Sequence, residues 1–384
     1  MMEKSHALPQ PSQGGKRQIE LDFIRGIAIL LVMGTHFSYV ATGSPAVDAF
    51  TGYLKANGGI GVNLFFTLSG YLVGGLLMTE WQRNGQIDAW RFLVRRAFKI
   101  WPPLYALVLF HALLGRHPLS TFFWQNLLHV QNYFGTSITQ TWSLAVEEHF
   151  YIFLACALSL MSNRPVRTMM WMICSVCLAS FLARCYAVHE GWLDQAFRQT
   201  QFRMDSLMFG VILVSIQKFH QNAYAWLEKQ RWPLLVLSSA AFIAAEVWSR
   251  SPELERSIGY AIQGISFCAL IIFMRRYSGA LSRTWWYRSV AWIGVYSYGT
   301  YLWHSVALEP GRKLIAWTQA TGMEPHLGLL LALGSQGAIG CLLGYVTTRV
   351  VEFPALAIRD RLVPGTAKRT APRPSPESAA HAPF

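Results

Sequence analysis

The chain has 384 residues, 53% of them hydrophobic and only 14% charged, with a mean hydropathy of +0.28. A soluble domain carries about 25% charged residues, so this composition excludes an ordinary soluble globule and predicts an all-α polytopic membrane protein. The net charge of +13 does not argue for nucleic acid, because the Lys and Arg are spread through short connections between apolar runs, where they set membrane orientation.

Residues 1–18 are polar and interrupted by Pro9, Pro11, Gly14 and Gly15. They predict a disordered cytoplasmic N-terminus without a cleavable leader, followed at once by an apolar run of full span length. About 20 apolar residues are needed to cross a bilayer as a helix. About ten runs approach that length: 21–42, 60–79, 98–115, 142–161, 168–187, 203–217, 233–248, 257–274, 290–308 and 326–350. Cationic clusters at Lys16–Arg17, Arg91–Lys99 and Arg275–Arg288 fall on one side of this arrangement, which predicts both termini cytoplasmic. The connection 116–141 predicts an interfacial helix. A membrane domain over 19–356 then gives way to a basic, largely disordered cytoplasmic tail, 357–384, rich in Pro, Ala and Ser.

The first run carries Asp22, Arg25 and His36. Ionisable groups cost roughly 2.5–3.5 kcal/mol each at mid-bilayer on insertion scales, so they mark a functional segment. Arg25 and His36 are eleven residues apart, about three helical turns, and share a face over roughly 16 Å. The second run, with Ser69, is glycine-rich. Close helix packing is one reading of it and a role for Ser69 another; a hydrolase elbow is not, since Ser69 lacks the G-x-S-x-G context.

Arg91, Arg95, Arg96 and Lys99 precede Trp101-Pro102-Pro103. They read either as positive-inside anchors or as a site for a phosphorylated cytosolic ligand, whose oxygens suit guanidinium forks. In TWSLAVEEHFYIF, Ser143, Glu147 and Tyr151 are spaced by four and share a helix face, while Glu148 points elsewhere. Arg203 and Asp205 read as an ion pair. Tyr298, Tyr301 and His304 lie in the ninth run. The six Cys lie mainly in apolar runs, and Cys174-x-x-Cys177 has no second pair. Packing is therefore the expectation, with no metal.

Seven motifs in order resemble the acyltransferase-3 family of integral membrane O-acyltransferases. They are LDFIRG with His36 eleven residues after its arginine, FFTLSGYL, RRAFKI before Pro102, WSLAVEEHFY, FRMDSLMFG, SYGTYLWH and the closing Glu352-Phe353-Pro354. The resemblance implies transfer of an acyl group, commonly acetyl, from acyl-CoA to a hydroxyl of a surface or secreted glycan. It implies a catalytic role for His36, functional arginines at Arg25, Arg95 and Arg96, and further site residues at Trp142, Ser143 and Glu147. Ser69, Tyr151 and His304 are expected in support, and Glu147 is expected to fix the His36 tautomer or stabilise its charge. Lys99 departs from a common arginine and Leu104 from a frequent tyrosine. The fused SGNH-type domain of many relatives is not seen, so the expectation is a stand-alone transferase or one serving a separate extracytoplasmic transferase partner. The implied location is a bacterial inner membrane, with the lipid bilayer and a glycan or lipid-linked sugar as partners and no nucleic acid. A transporter or flippase, or O-acylation of a small molecule such as an antibiotic, are the alternatives.

Overall fold

A computed structural model describes residues 18–115, 117–248 and 251–365; the disorder expected before residue 18 and over most of the tail lies outside the described residues. The described residues are helical and contain no strand. Helices α1 (Ile19–His36), α2 (Pro45–Ala56), α3 (Gly59–Asn84) and α4 (Ala89–Leu114) come first. Two short helices, α5 (Phe123–Leu127) and α6 (Gln131–Phe134), fill the connection to α7 (Trp142–Leu160). Then follow α8 (Val166–His189), α9 (Leu193–Arg198), α10 (Met204–Phe219), α11 (Gln221–Lys229), α12 (Arg231–Trp248), the single turn α13 (Pro252–Leu254) and α14 (Tyr260–Leu281). The chain closes with α15 (Trp285–Val295), α16 (Ser297–Trp303), α17 (Leu308–Ala320), α18 (Pro325–Thr347) and α19 (Phe353–Leu362).

Among the described residues six helical stretches are long and apolar enough to cross a membrane: Gly59–Asn84, Ala89–Leu114, Thr139–Leu160, Val166–His189, Pro252–Arg276 and Pro325–Leu362. Of the remaining runs, α1 carries Glu20, Asp22 and Arg25 in its first two turns, and α10 has only 16 residues. The run 290–308 is not one helix. It breaks at Tyr296 (φ −99°, ψ 10°) into α15 and α16 and then tightens to a 3₁₀ turn at His304–Ala307. No proline marks that break, and the glycines nearest it, Gly294 and Gly299, lie within α15 and α16, so the apolar run concealed it. Helix α19 continues past residue 356.

The helix ends follow local chemistry. Asp88 caps α4 by accepting from the Arg91 N–H at 2.9 Å. Glu324 caps α18 through the N–H groups of His326 and Leu327, and those bonds hold its carboxyl below the usual range. Gly85 and Gly115 end α3 and α4 in the left-handed conformation.

Helix α3 is the centre of the bundle: 72% of its apolar window is buried, against 28% for α4 and 22% for α8. It packs on α10 through Gly70 and Gly210. A Cβ at either position would lie 1.9 Å from a carbonyl oxygen of the other helix, Leu207 O and Thr67 O respectively, so only glycine permits this approach.

A buried polar network ties α3, α8, α10 and α14. Arg184 pairs with Asp205 and donates to Phe202 O at 3.0 Å and Ser257 O at 3.1 Å. Arg203 donates to Asn63, which in turn donates to Gln263, and its guanidinium lies 4.0 Å from the Tyr260 ring centroid. The expected Arg203–Asp205 pair is therefore corrected. Residues two apart in this turn point to different sides, and each finds its partner on another helix.

Candidate functional site

His36 ends α1. Its Nδ1 lies 2.8 Å from Val32 O and 3.3 Å from Nε2 of His304, the residue that follows α16. Nδ1 of His304 lies 2.7 Å from Tyr301 O. A carbonyl only accepts, so His304 carries its proton on Nδ1 and presents a bare Nε2. His36 Nδ1 faces two acceptors and must be the donor, which leaves the Nε2 lone pair of His36 free. His304 is wholly buried whereas His36 is exposed. The segment after His36 is pinned by Gln336 of α18, which accepts from the Ser38 N–H at 2.9 Å and donates to Ser38 O at 3.2 Å.

Two hydrogen-bonded strings run through the surrounding helices, the first of them reaching the turn that carries His304. Ser143 donates to the Tyr301 hydroxyl at 2.6 Å, and Tyr301 donates to Gln140 O at 2.6 Å. The Gln140 amide reaches Ser305 Oγ at 2.7 Å and Leu302 O at 3.1 Å, bracing the turn that holds His304. In the second string Ser69 donates to Tyr151 at 2.6 Å and Tyr151 donates to Glu147 Oε2 at 3.0 Å. The spacing by four along α7 thus resolves into a real Glu147–Tyr151 bond. The tautomer of His36 is set by Val32 and His304, not by Glu147 as the sequence suggested.

The cations separate. Arg96 stacks against Phe92 and Tyr151, with its guanidinium 5.4 and 5.7 Å from their ring centroids. Arg25, Arg96 and Lys99 share electrostatic surroundings with Glu352 and Arg359. Arg25 also pairs with Asp22 at 3.3 Å. Arg95 turns away and bonds Asp360 at 3.0 Å and the Val363 carbonyl. Adjacent helical residues point about 100° apart, so the two arginines could not both face Tyr151. Trp142 is buried, its ring 4.7 Å from that of Phe197 and 6.1 Å from that of Phe66.

Glu352 and Tyr298 were not expected here. Both carried a signal: Glu352 belongs to the closing motif, and Tyr298, whose hydroxyl donates to Ile100 O at 2.6 Å just before the prolines of α4, belongs to SYGTYLWH. Among the described residues no group of three or more His, Cys, Asp and Glu is placed to hold a metal ion.

The family described as an acyltransferase domain matches residues 18–342. Similar curated proteins include the peptidoglycan O-acetyltransferase OatA of Listeria monocytogenes, 25% identical over 316 residues that cover 74% of this chain and 48% of the relative. YrhL of Bacillus subtilis, named as a candidate peptidoglycan O-acetyltransferase, is 25% identical over 341 residues, covering 74% of this chain and 47% of that protein. The chain spans about half the length of these relatives. No solved structure matches it.

Proposed function

The chain belongs to the acyltransferase-3 family, and from that premise we propose that it is a membrane O-acyltransferase moving an acetyl group from acetyl-CoA to a hydroxyl of a bacterial glycan. The names of the relatives support a glycan acceptor. The observation that carries the reading is the exposed His36, its Nδ1 proton engaged by Val32 and His304 and its Nε2 lone pair open.

Acyl-CoA enters as a substrate from the cytosolic side. Arg25, Arg96, Lys99 and Arg359 lie together around Glu352, with Arg25 also paired to Asp22 and Arg359 to Asp360, and their guanidinium and ammonium donors suit the donor phosphates. Arg95, tied to Asp360, stands at the rim. The pantetheine arm follows the face of α1 from Arg25 toward His36. The acceptor hydroxyl attacks the thioester carbonyl while His36 Nε2 takes its proton; the new C–O bond forms, the C–S bond breaks, and the proton passes to the departing thiolate. The same lone pair serves an acyl-histidine intermediate, in which the acyl group rests on Nε2 before the hydroxyl receives it. In both routes His304 holds the imidazole and faces the charge that develops on it, the part played by the acid of a triad. Glu147, oriented by Tyr151 and Ser69, supplies negative charge beside the Arg96 end of the path.

The test uses membrane vesicles containing the full chain, supplied with radiolabelled acetyl-CoA and a peptidoglycan digest. Label in the glycan that depends on His36 supports the proposal. Glycan that crosses the vesicle membrane without gaining label would support a transporter instead.

A further inference from the structure

About 100° around α7 from Glu147, its neighbour Glu148 joins a second set of polar and aromatic groups that the transfer chemistry leaves unused. Trp101 and Tyr105 come from α4, Glu148 from α7 and His129 from the turn between α5 and α6. The Trp101 indole N–H donates to Glu148 Oε2 at 3.2 Å. The imidazole of His129 lies 5.5 Å from the Trp101 ring and 6.1 Å from the Tyr105 ring, centroid to centroid. His129 has φ 57°, the one left-handed non-glycine among the described residues. Histidine, with Asn and Asp, is among the non-glycine residues that enter that region, and the turn sets the imidazole beside Trp101 and Tyr105.

The valences of this cluster are unbalanced. Tyr105 donates its hydroxyl proton to Leu127 O at 3.2 Å, so at 3.4 Å it accepts from His129 Nε2–H. That leaves His129 Nδ1 as a bare acceptor. Burial, with His149 adding to it, pushes the imidazole down to about 4, so it is neutral at ordinary pH. Glu148 is 7% exposed and His129 7% exposed, yet Glu148 Oε1 and His129 Nδ1 have no hydrogen-bond partner. Both orphans are acceptors, and a buried acceptor without a donor costs free energy. Trp101, by contrast, is 40% exposed and offers an open ring surface.

A ligand for this place must donate several hydrogen bonds, carry no negative charge near Glu148, and present a flat C–H face to an indole. An acyl chain would leave both orphans unsatisfied. A pyranose meets all three requirements. We infer that the place where α4, α7 and the Leu127–Gln131 connection meet is a carbohydrate subsite in which a sugar ring of the acceptor lies on Trp101 and donates hydroxyls to Glu148 Oε1 and His129 Nδ1. This rests on the glycan acyltransferase reading and names the residues that hold its acceptor.

The test is steady-state kinetics of the full chain in nanodiscs, with acetyl-CoA and chitotetraose as the glycan probe. Trp101→Ala and Glu148→Leu raise KM for chitotetraose by at least about tenfold, the scale of a lost charged hydrogen bond or ring contact, while KM for acetyl-CoA stays within about twofold. Trp101→Phe, which keeps a platform, recovers most of the acceptor affinity. Glu148→Gln, which keeps the shape and one acceptor oxygen and guards against a folding defect, falls between wild type and Glu148→Leu. Variants whose acceptor KM does not move, or whose two KM values rise together, overturn the subsite. A wild type that consumes acetyl-CoA but acylates no glycan overturns the functional reading, and the subsite with it.

Discussion

Two buried polar regions of this protein use similar residues to different ends. Around α8 and α10, Arg184, Asp205, Arg203, Asn63 and Gln263 bond mainly one another and nearby carbonyls. Around α1, α4, α7 and α16, His36 is exposed with Nε2 free, and Arg25, Arg96 and Lys99 gather near Glu352. The first set pairs its charged groups across neighbouring helices and locks those helices together. The second is held by partners on one side and left open on the other, as a reacting site must be. Charge in an apolar helix therefore marks importance; full burial against partners on other helices, as at Arg184 and Asp205, or exposure, as at His36, separates scaffold from chemistry.

The largest effect expected from breaking this contrast is at His36. His36→Ala lowers kcat by about 10³-fold or more, while size-exclusion profiles of the detergent-solubilised protein stay unchanged, because the side chain is exposed. Arg184→Met gives the opposite pattern. Removing one partner of a buried pair costs about 3–5 kcal/mol, so the yield of monodisperse protein collapses, and the molecules that do fold keep wild-type KM values for donor and acceptor.

A smaller change at His304 sharpens the assignment. His304→Ala lowers kcat by about 10–10²-fold with little change in either KM, because it removes the acceptor that holds His36 Nδ1–H. Its pH–rate profile shifts as well, which a loss of packing alone would not produce. Tyr151→Phe removes the donor to Glu147 and the acceptor for Ser69, and about a tenfold loss of kcat/KM is expected from that broken string.

The smallest effect concerns pH. His129 is held near 4 in the folded chain, below the ordinary imidazole value of about 6.5. Between those values the unfolded state binds more protons, so stability rises with pH. This contribution is present above about pH 6.5 and is lost as pH falls toward 4. Thermal unfolding of the solubilised protein across that window shows the slope, and His129→Asn, a residue that tolerates positive φ, flattens it.

The all-helical class and the face joining Arg25 to His36 were legible because ionisable groups in apolar runs are conspicuous. The spacing of Glu147 and Tyr151 correctly put them on one face, since a helix repeats locally. The His36–His304 contact was not legible, because it joins residues 268 positions apart through a run broken at Tyr296. The splitting of Arg95 from Arg96 was hidden by their adjacency, and the groups around Trp101 by a connection whose left-handed turn at His129 has no glycine to announce it.

The central claim is that His36 Nε2 mediates acyl transfer to a glycan hydroxyl. The most direct measurement is mass spectrometry of cell-envelope glycan from a host expressing either the wild-type chain or His36→Ala at matched membrane levels. The account predicts O-acetylated sugars with the wild type and their absence with the variant. Equal acetylation in the two would contradict it.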